Sequence, residues 1–294
     1  MAVYKRTYKA YSGRLTPAWS RFTVLSRYGL STLFNSRPFT AYAVLCMLPF
    51  LGGLAFIYFV HSSTAQLVLG IKLNNGLMVN SAWFLRFLTI ECWMGFVLVA
   101  WAGPGMITKD LANNSVQLYL SRPLSRTEYL FGKVSVLGAL LSGTILIPAI
   151  LLFFLQAQLE GHGWIWENYW IAGSILVSSL LWIAVMSLIA MAISVWVKWR
   201  IAATALMLAV FSLLPILSLV MNQILRTNLG HLIDIPYMLL MIWASLFHLD
   251  SFNRHLGGFD AVPIWWAWAS LLSVCAACFW LLNRKLRARE IERS

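Results

Sequence analysis

Long apolar runs alternate with short polar ones along most of this chain. Runs over roughly 39–60, 82–103, 134–157, 171–197, 202–224 and 263–283 hold few or no charges. Each is long enough to cross a hydrocarbon core of about 30 Å at a rise of about 1.5 Å per residue. The pattern predicts an all-α polytopic membrane protein, a single transmembrane domain with six crossings. A further apolar run at 235–247, IPYMLLMIWASLF, is too short for a full crossing and reads as a re-entrant segment inside an outer region covering 225–262. Counting it as a seventh crossing would also carry the basic tail, 284–294, to the opposite side.

Before the first run, residues 17–36 place Ala18, Phe22, Leu25, Gly29 and Leu33 on one helical face and Ser20, Arg27, Ser31 and Asn35 on another. This predicts a helix lying on the inner membrane surface with Arg21 and Arg27 towards the headgroups; the alternative is an ordinary basic flank whose periodicity is chance. Small residues recur every fourth position in several runs: Ser135, Ala139 and Gly143, then Ser174 and Ser178, then Ala269, Ser273 and Ala277. Such stripes let helices approach closely, and they are expected to pack the subunit's own bundle rather than a dimer face.

The polar strip between the second and third runs, 104–133, carries helix signals of its own. Pro104 suits a first helical position, and Ile107, Leu111 and Leu118 recur at helical spacing opposite Lys109, Asp110, Asn113 and Gln117. That helix should stop near Leu120 or Ser121, because Pro123 disfavours the helical region for Arg122. Ser125 and Glu128 then form a capping box, with Leu124 and Tyr129 placed as a hydrophobic staple. The expected shape is helix, tight corner, helix; the alternative is a well-capped extension of the third span.

Composition and charge settle the environment. The chain is 60% hydrophobic and only 11% charged, far from the roughly 45–50% apolar share of soluble domains. Its net charge of +12 is unevenly placed: only Lys72, Arg86, Arg226 and Arg254 of 22 basic residues fall on the outer side if both termini are inside. That asymmetry is the positive-inside rule, and it explains the basic excess without nucleic acid. Of 15 tryptophans, all but Trp93, Trp182 and Trp243 fall on the surface helix, in outer loops or near span ends, where indole rings sit at headgroup level. Cys46, Cys92, Cys275 and Cys278 lie within spans and read as packing residues, not a disulfide framework. A long basic stretch precedes the first span, so a cleaved signal peptide is not expected.

The strip from Ile107 to Lys133 resembles the signature of the type-2 ABC transporter permease family. Ile107, Asp110, Leu118, Leu120, Ser121, Arg122, Pro123, Ser125, Arg126, Tyr129, Gly132 and Lys133 fall in register with its pattern, in which S-R-P-x-S-R is followed by tyrosine and G-K. The chain departs at Asn114 and Ser115, where the family has Gly-Thr, and at Asp110, where Glu is usual. Asn tolerates the left-handed backbone that Gly would supply. The resemblance implies a type V exporter-like fold and an export function in the cell (plasma or inner) membrane. It also implies a second permease subunit, identical or related, and a separate cytoplasmic ABC ATPase. The surface helix and the elbow would meet that ATPase through Lys109, Asp110, Leu111, Asn114, Leu118, Arg122, Pro123, Ser125, Arg126, Glu128 and Tyr129. ATP and Mg would belong to the partner, with no cofactor in this chain and membrane lipid as its other contact.

The chain contains no G-x-x-x-x-G-K-[ST] phosphate loop, so it is expected to be a transport subunit and not an enzyme. Glu91 is the only acidic residue well inside a span, which makes it a candidate for lining the path; hydrogen bonding to a neighbouring helix is the other reading. Arg86 is expected to snorkel to the outer headgroups. His61, His162, His231, His248 and His255 fall outside by this topology, near Asp234, Asp250 and Asp260, yet without metal-ligand spacing. An ion-coupled transporter would show more intramembrane charge and repeated, broken spans. A membrane enzyme would need a convergent acid, base or metal set that is not visible here.

Overall fold

The computed structural model describes residues 21–62, 78–112, 126–197, 199–249 and 263–291. Among them every element is helical. We label them α1 (Arg21–Phe34), α2 (Arg37–Leu45), α3 (Leu48–His61), α4 (Ser81–Ala112), α5 (Arg126–Leu141), α6 (Ile147–Glu160), α7 (His162–Trp196), α8 (Arg200–Leu225), α9 (Ile235–Leu246) and α10 (Ile264–Ile291). Six helices among the described residues are long and apolar enough to cross a membrane. They match the six apolar runs. The fourth is central, with 67% of its most apolar window buried, against 17% for the fifth and sixth.

The first crossing is not one helix, as its apolar run suggested, but two. It breaks between Cys46 and Met47, where Met47 N–H turns to Val44 O at 2.9 Å instead of continuing the ladder. Pro49, in the first turn of α3, lacks the N–H that Leu45 O would need, and its ring crowds that carbonyl. The third crossing runs from α5 into α6 through a π-helical turn, Ser142–Leu146, just ahead of Pro148 in the first turn of α6. A wider turn relieves the same clash. One residue, Gly161, joins α6 to α7; its φ of 106° and ψ of 176° are open to glycine and strained for any side chain.

At Pro104 the expected helix start is absent. α4 runs unbroken for 32 residues through the proline, about 48 Å of helix, so one end extends past the hydrocarbon core. Neighbouring helices satisfy the backbone groups that the proline frees. Ala100 O, which would bond a residue-104 N–H, accepts from Thr204 Oγ1 at 3.2 Å, and Trp101 O accepts from Arg200 Nη2 at 3.2 Å. Ser194 Oγ inserts into the ladder, accepting from Thr108 N–H at 3.1 Å and donating to Pro104 O at 3.0 Å. Here α4 and α7 are nearly in backbone contact: a Cβ on Gly103 would stand 2.7 Å from Ala190 Cβ. Propensity reasoning treats a proline as a boundary, but tertiary hydrogen bonds carry the helix past it.

After α8, Arg226 adopts a left-handed conformation (φ 51°) and the chain folds back as a 3-10 turn, Leu229–Ile233. Gly230 N–H donates to Asn222 Oδ1 at 2.8 Å, and a Cβ there would meet Ser218 O at 2.8 Å; only glycine seats this turn on α8. Asp234 caps α9 by accepting from Tyr237 N–H at 3.0 Å. Ser174 Oγ donates to Leu246 O at 2.7 Å, tying the far end of α9 to α7. α9 buries Met238, Leu239, Ile242 and Trp243, so the short apolar segment is part of the bundle's interior.

Two packing expectations change. The apolar face of α1 is occupied by protein: Leu25 lies against Gly132 and Gly29 against Val136, both on α5. The stripe of Ala269, Ser273 and Ala277 on α10 is exposed in the subunit and packs none of its helices. Ser174 and Ser178, by contrast, are buried.

Candidate functional site: the junction of α1, α4 and α5

The elbow is built where the ends of α4 and α5 meet α1. Asp110, in the last turn of α4, accepts from Tyr129 Oη at 2.7 Å and pairs with Lys133 Nζ at 2.9 Å, both from α5. Tyr129 is 1% exposed, and the Lys133 ammonium lies 5.8 Å from the centre of its ring. A carboxylate, a phenol and an ammonium thus form one compact knot. One residue earlier, Gly132 faces the opposite neighbour. A Cβ at Gly132 would stand 2.8 Å from Leu25 Cδ2, and Ser26 Oγ donates to Gly132 O at 3.2 Å while sharing a hydrogen bond with Ser135 Oγ. Adjacent motif residues therefore do different jobs. Gly132 brings α1 close by having no side chain, and Lys133 pins α4 through its charge.

Of the predicted coupling residues, the structure brings Asp110 and Tyr129 together. Glu128 is half-buried in the first turn of α5, where a negative charge complements the helix N-terminus. Arg126 opens α5. The side chains of Lys109, Leu111 and Arg126, and the whole of Asn114, Leu118, Arg122, Pro123, Leu124 and Ser125, lie outside the described residues. Sequence reasoning missed the brace itself, namely Ser26, Gly29, Gly132 and Lys133. Gly132 and Lys133 were visible as motif letters, and Gly29 as a member of the apolar face, but nothing in the spacing paired Asp110 with Lys133.

Glu91 is fully enclosed at 0% exposure, and neither carboxylate oxygen has a hydrogen-bond partner among the described residues. Arg86 is exposed. Among the histidines, His61 bridges α3 to α6 through Glu160 at 2.7 Å, His231 shares a hydrogen bond with Ser218 at 3.1 Å, and His248 lies against Trp170 with the rings tilted by 36°. His255, Asp250 and Asp260 lie outside the described residues. Among the described residues no group of three or more His, Cys, Asp or Glu is placed to hold a metal ion.

Six helices long and apolar enough to cross a membrane define a multi-pass membrane protein. Residues 43–285 match the family described as ABC-2 family transporter protein. The match covers most of the chain, which belongs to this family and is a membrane permease. A search of curated proteins finds no match.

Proposed function

We propose that this chain is the membrane-spanning subunit of an ATP-binding cassette exporter, acting with a second permease subunit and with a separate cytoplasmic ATPase. Both termini face the cytoplasm in this reading, and ATP and Mg belong to the partner. The brace at Asp110 carries the proposal. A corner at 113–125 held only by flexible ends would absorb a push, whereas α4 and α5 are pinned to each other at Asp110 and α5 is seated on α1 at Gly132. A push from the ATPase would then tilt the second and third crossings together. ATP drives such a change only by contacting one state better than the other.

The test is affinity purification of the tagged full chain from its native membrane. Stoichiometric recovery of a nucleotide-binding protein, lost in an Arg122→Glu/Arg126→Glu double variant that still inserts, is the expected result. Recovery of the chain alone, or modification of Lys109 by an impermeant reagent in intact cells, would overturn the reading.

A further inference from the structure

A cavity of about 510 Å³ lies between α4, α7, α8 and α9, on the side of the bundle away from the elbow. Its size is that of a site for a drug-sized molecule. Six aromatic side chains line it, Trp93 and Phe96 from α4, Trp182 from α7, Phe211 from α8, and Tyr237 and Trp243 from α9. Trp182, Met186 and Trp243 form a buried floor at 4%, 2% and 3% exposure, while Trp93 at the rim is 55% exposed. Trp93, Trp182 and Phe211 sit near the middle of their crossings, so the mouth opens sideways at the depth of lipid tails.

Among the described residues one charged residue lines the cavity, Asp234, and no Lys, Arg or His does. Asp234 is 7% exposed, and among the described residues its carboxylate accepts one hydrogen bond, from Tyr237 N–H to Oδ1. Burial raises the affinity of this carboxyl for a proton. The nearby His231, stacked on Tyr237 with centroids 4.0 Å apart, is pushed by burial towards its neutral form, against the pull of Asp234, and supplies no fixed positive charge. The Trp243 indole N–H is buried without an acceptor among the described residues. A desolvated carboxylate and electron-rich ring faces together attract a cation, and only one greasy enough to leave water.

We infer that this cavity is a binding site for a membrane-soluble organic cation, with Asp234 as counter-ion and the aromatic wall as its cradle. As the cargo class of a permease this rests on the transport reading above; the binding itself does not.

The probe is tetraphenylphosphonium, with tetraphenylborate as a control of like shape and opposite charge. Binding to the full chain is measured by equilibrium dialysis in dodecyl maltoside, which contributes no amine headgroup. The expected result is one saturable site per chain for the cation, no competition by the anion, and affinity at least about tenfold weaker in Asp234→Asn. Asn is as good a helix cap as Asp, so this variant keeps α9 in place; Asp234→Glu, which keeps the charge, retains binding. Absence of saturable binding by the unaltered chain, equal binding of the anion, or undiminished binding by Asp234→Asn would each overturn the site. Cation binding by a chain that recovers no ATPase would leave the site standing and remove the transport reading.

Discussion

Replacing Lys133 by Met tests whether the elbow is a braced body. The substitution keeps the length and apolar stem of the side chain and deletes the ammonium. Asp110 and Lys133 are 16% and 12% exposed and 2.9 Å apart; at an effective dielectric of about 20 their attraction is roughly 6 kcal/mol. Most of this offsets the desolvation of the two ions, so the useful quantity is the cost of stranding Asp110. Breaking a fully buried pair costs about 3–5 kcal/mol. Asp110 keeps a little solvent and the Tyr129 hydroxyl, which places the expected loss at about 2–3 kcal/mol. Removing both charges, in Asp110→Asn with Lys133→Met, should recover much of it, with a coupling of about 1–3 kcal/mol in the double-mutant cycle. The assay is reversible unfolding in mixed micelles, with amide exchange over 104–112 and 126–133 to locate the loss. A Lys133→Met protein within about 0.5 kcal/mol of the parent, or strictly additive single changes, would refute the brace.

Three further outcomes follow from the packing and the charges. Gly103→Ala forces a methyl against Ala190 Cβ, 2.7 Å from the ideal position, and should cost about 1–3 kcal/mol by thermal unfolding; Ala190→Gly in the same chain should restore part of it, and no loss would mean the two helices are not in close contact. The folded-state pKa of His231 is lowered below its ordinary 6.5, so the unfolded chain binds more protons and stability falls as pH drops below about 6.5. Asp234, raised above 3.8, acts with the opposite sign above that value, so His231→Gln should abolish the loss near pH 6; exchange rates at 229–233 that do not change with pH would refute this. Glu91→Leu removes a buried carboxyl without a partner among the described residues and should stabilise the chain by about 1–3 kcal/mol; destabilisation would reveal a partner outside them, and unchanged transport by Glu91→Gln would remove Glu91 from the path.

The six crossings, their number and the isolation of the short segment at 235–247 were legible in the residue order, because a helix must satisfy its own backbone in lipid and needs a minimum apolar length to do so. The start of α5 at Arg126 agrees with the local helix signals in the sequence, the S-x-x-E pattern at Ser125 and Glu128, while the corner expected at Pro123 lies outside the described residues. The role of each proline was not legible. Pro49, Pro104 and Pro148 are chemically alike, yet one splits a crossing, one is carried through by Ser194, Thr204 and Arg200, and one sits behind a π turn. What separates them is whether another helix brings a donor or acceptor to the freed backbone group.

The sites divide in the same way. Asp110 lies 23 positions before Lys133, and Ser26 lies 106 before Gly132. The cavity draws its walls from four helices and a charge from a cap residue that reads, in sequence, as an ordinary outer aspartate. Periodicity and length act along one helix and depend on the backbone alone, so the sequence by itself determined what kind of helices this protein has and how many. Ion pairs, close glycine contacts and cavity walls depend on distances between helices. The tertiary structure alone decided those, because side-chain identity does not specify which helices become neighbours or at what height they cross.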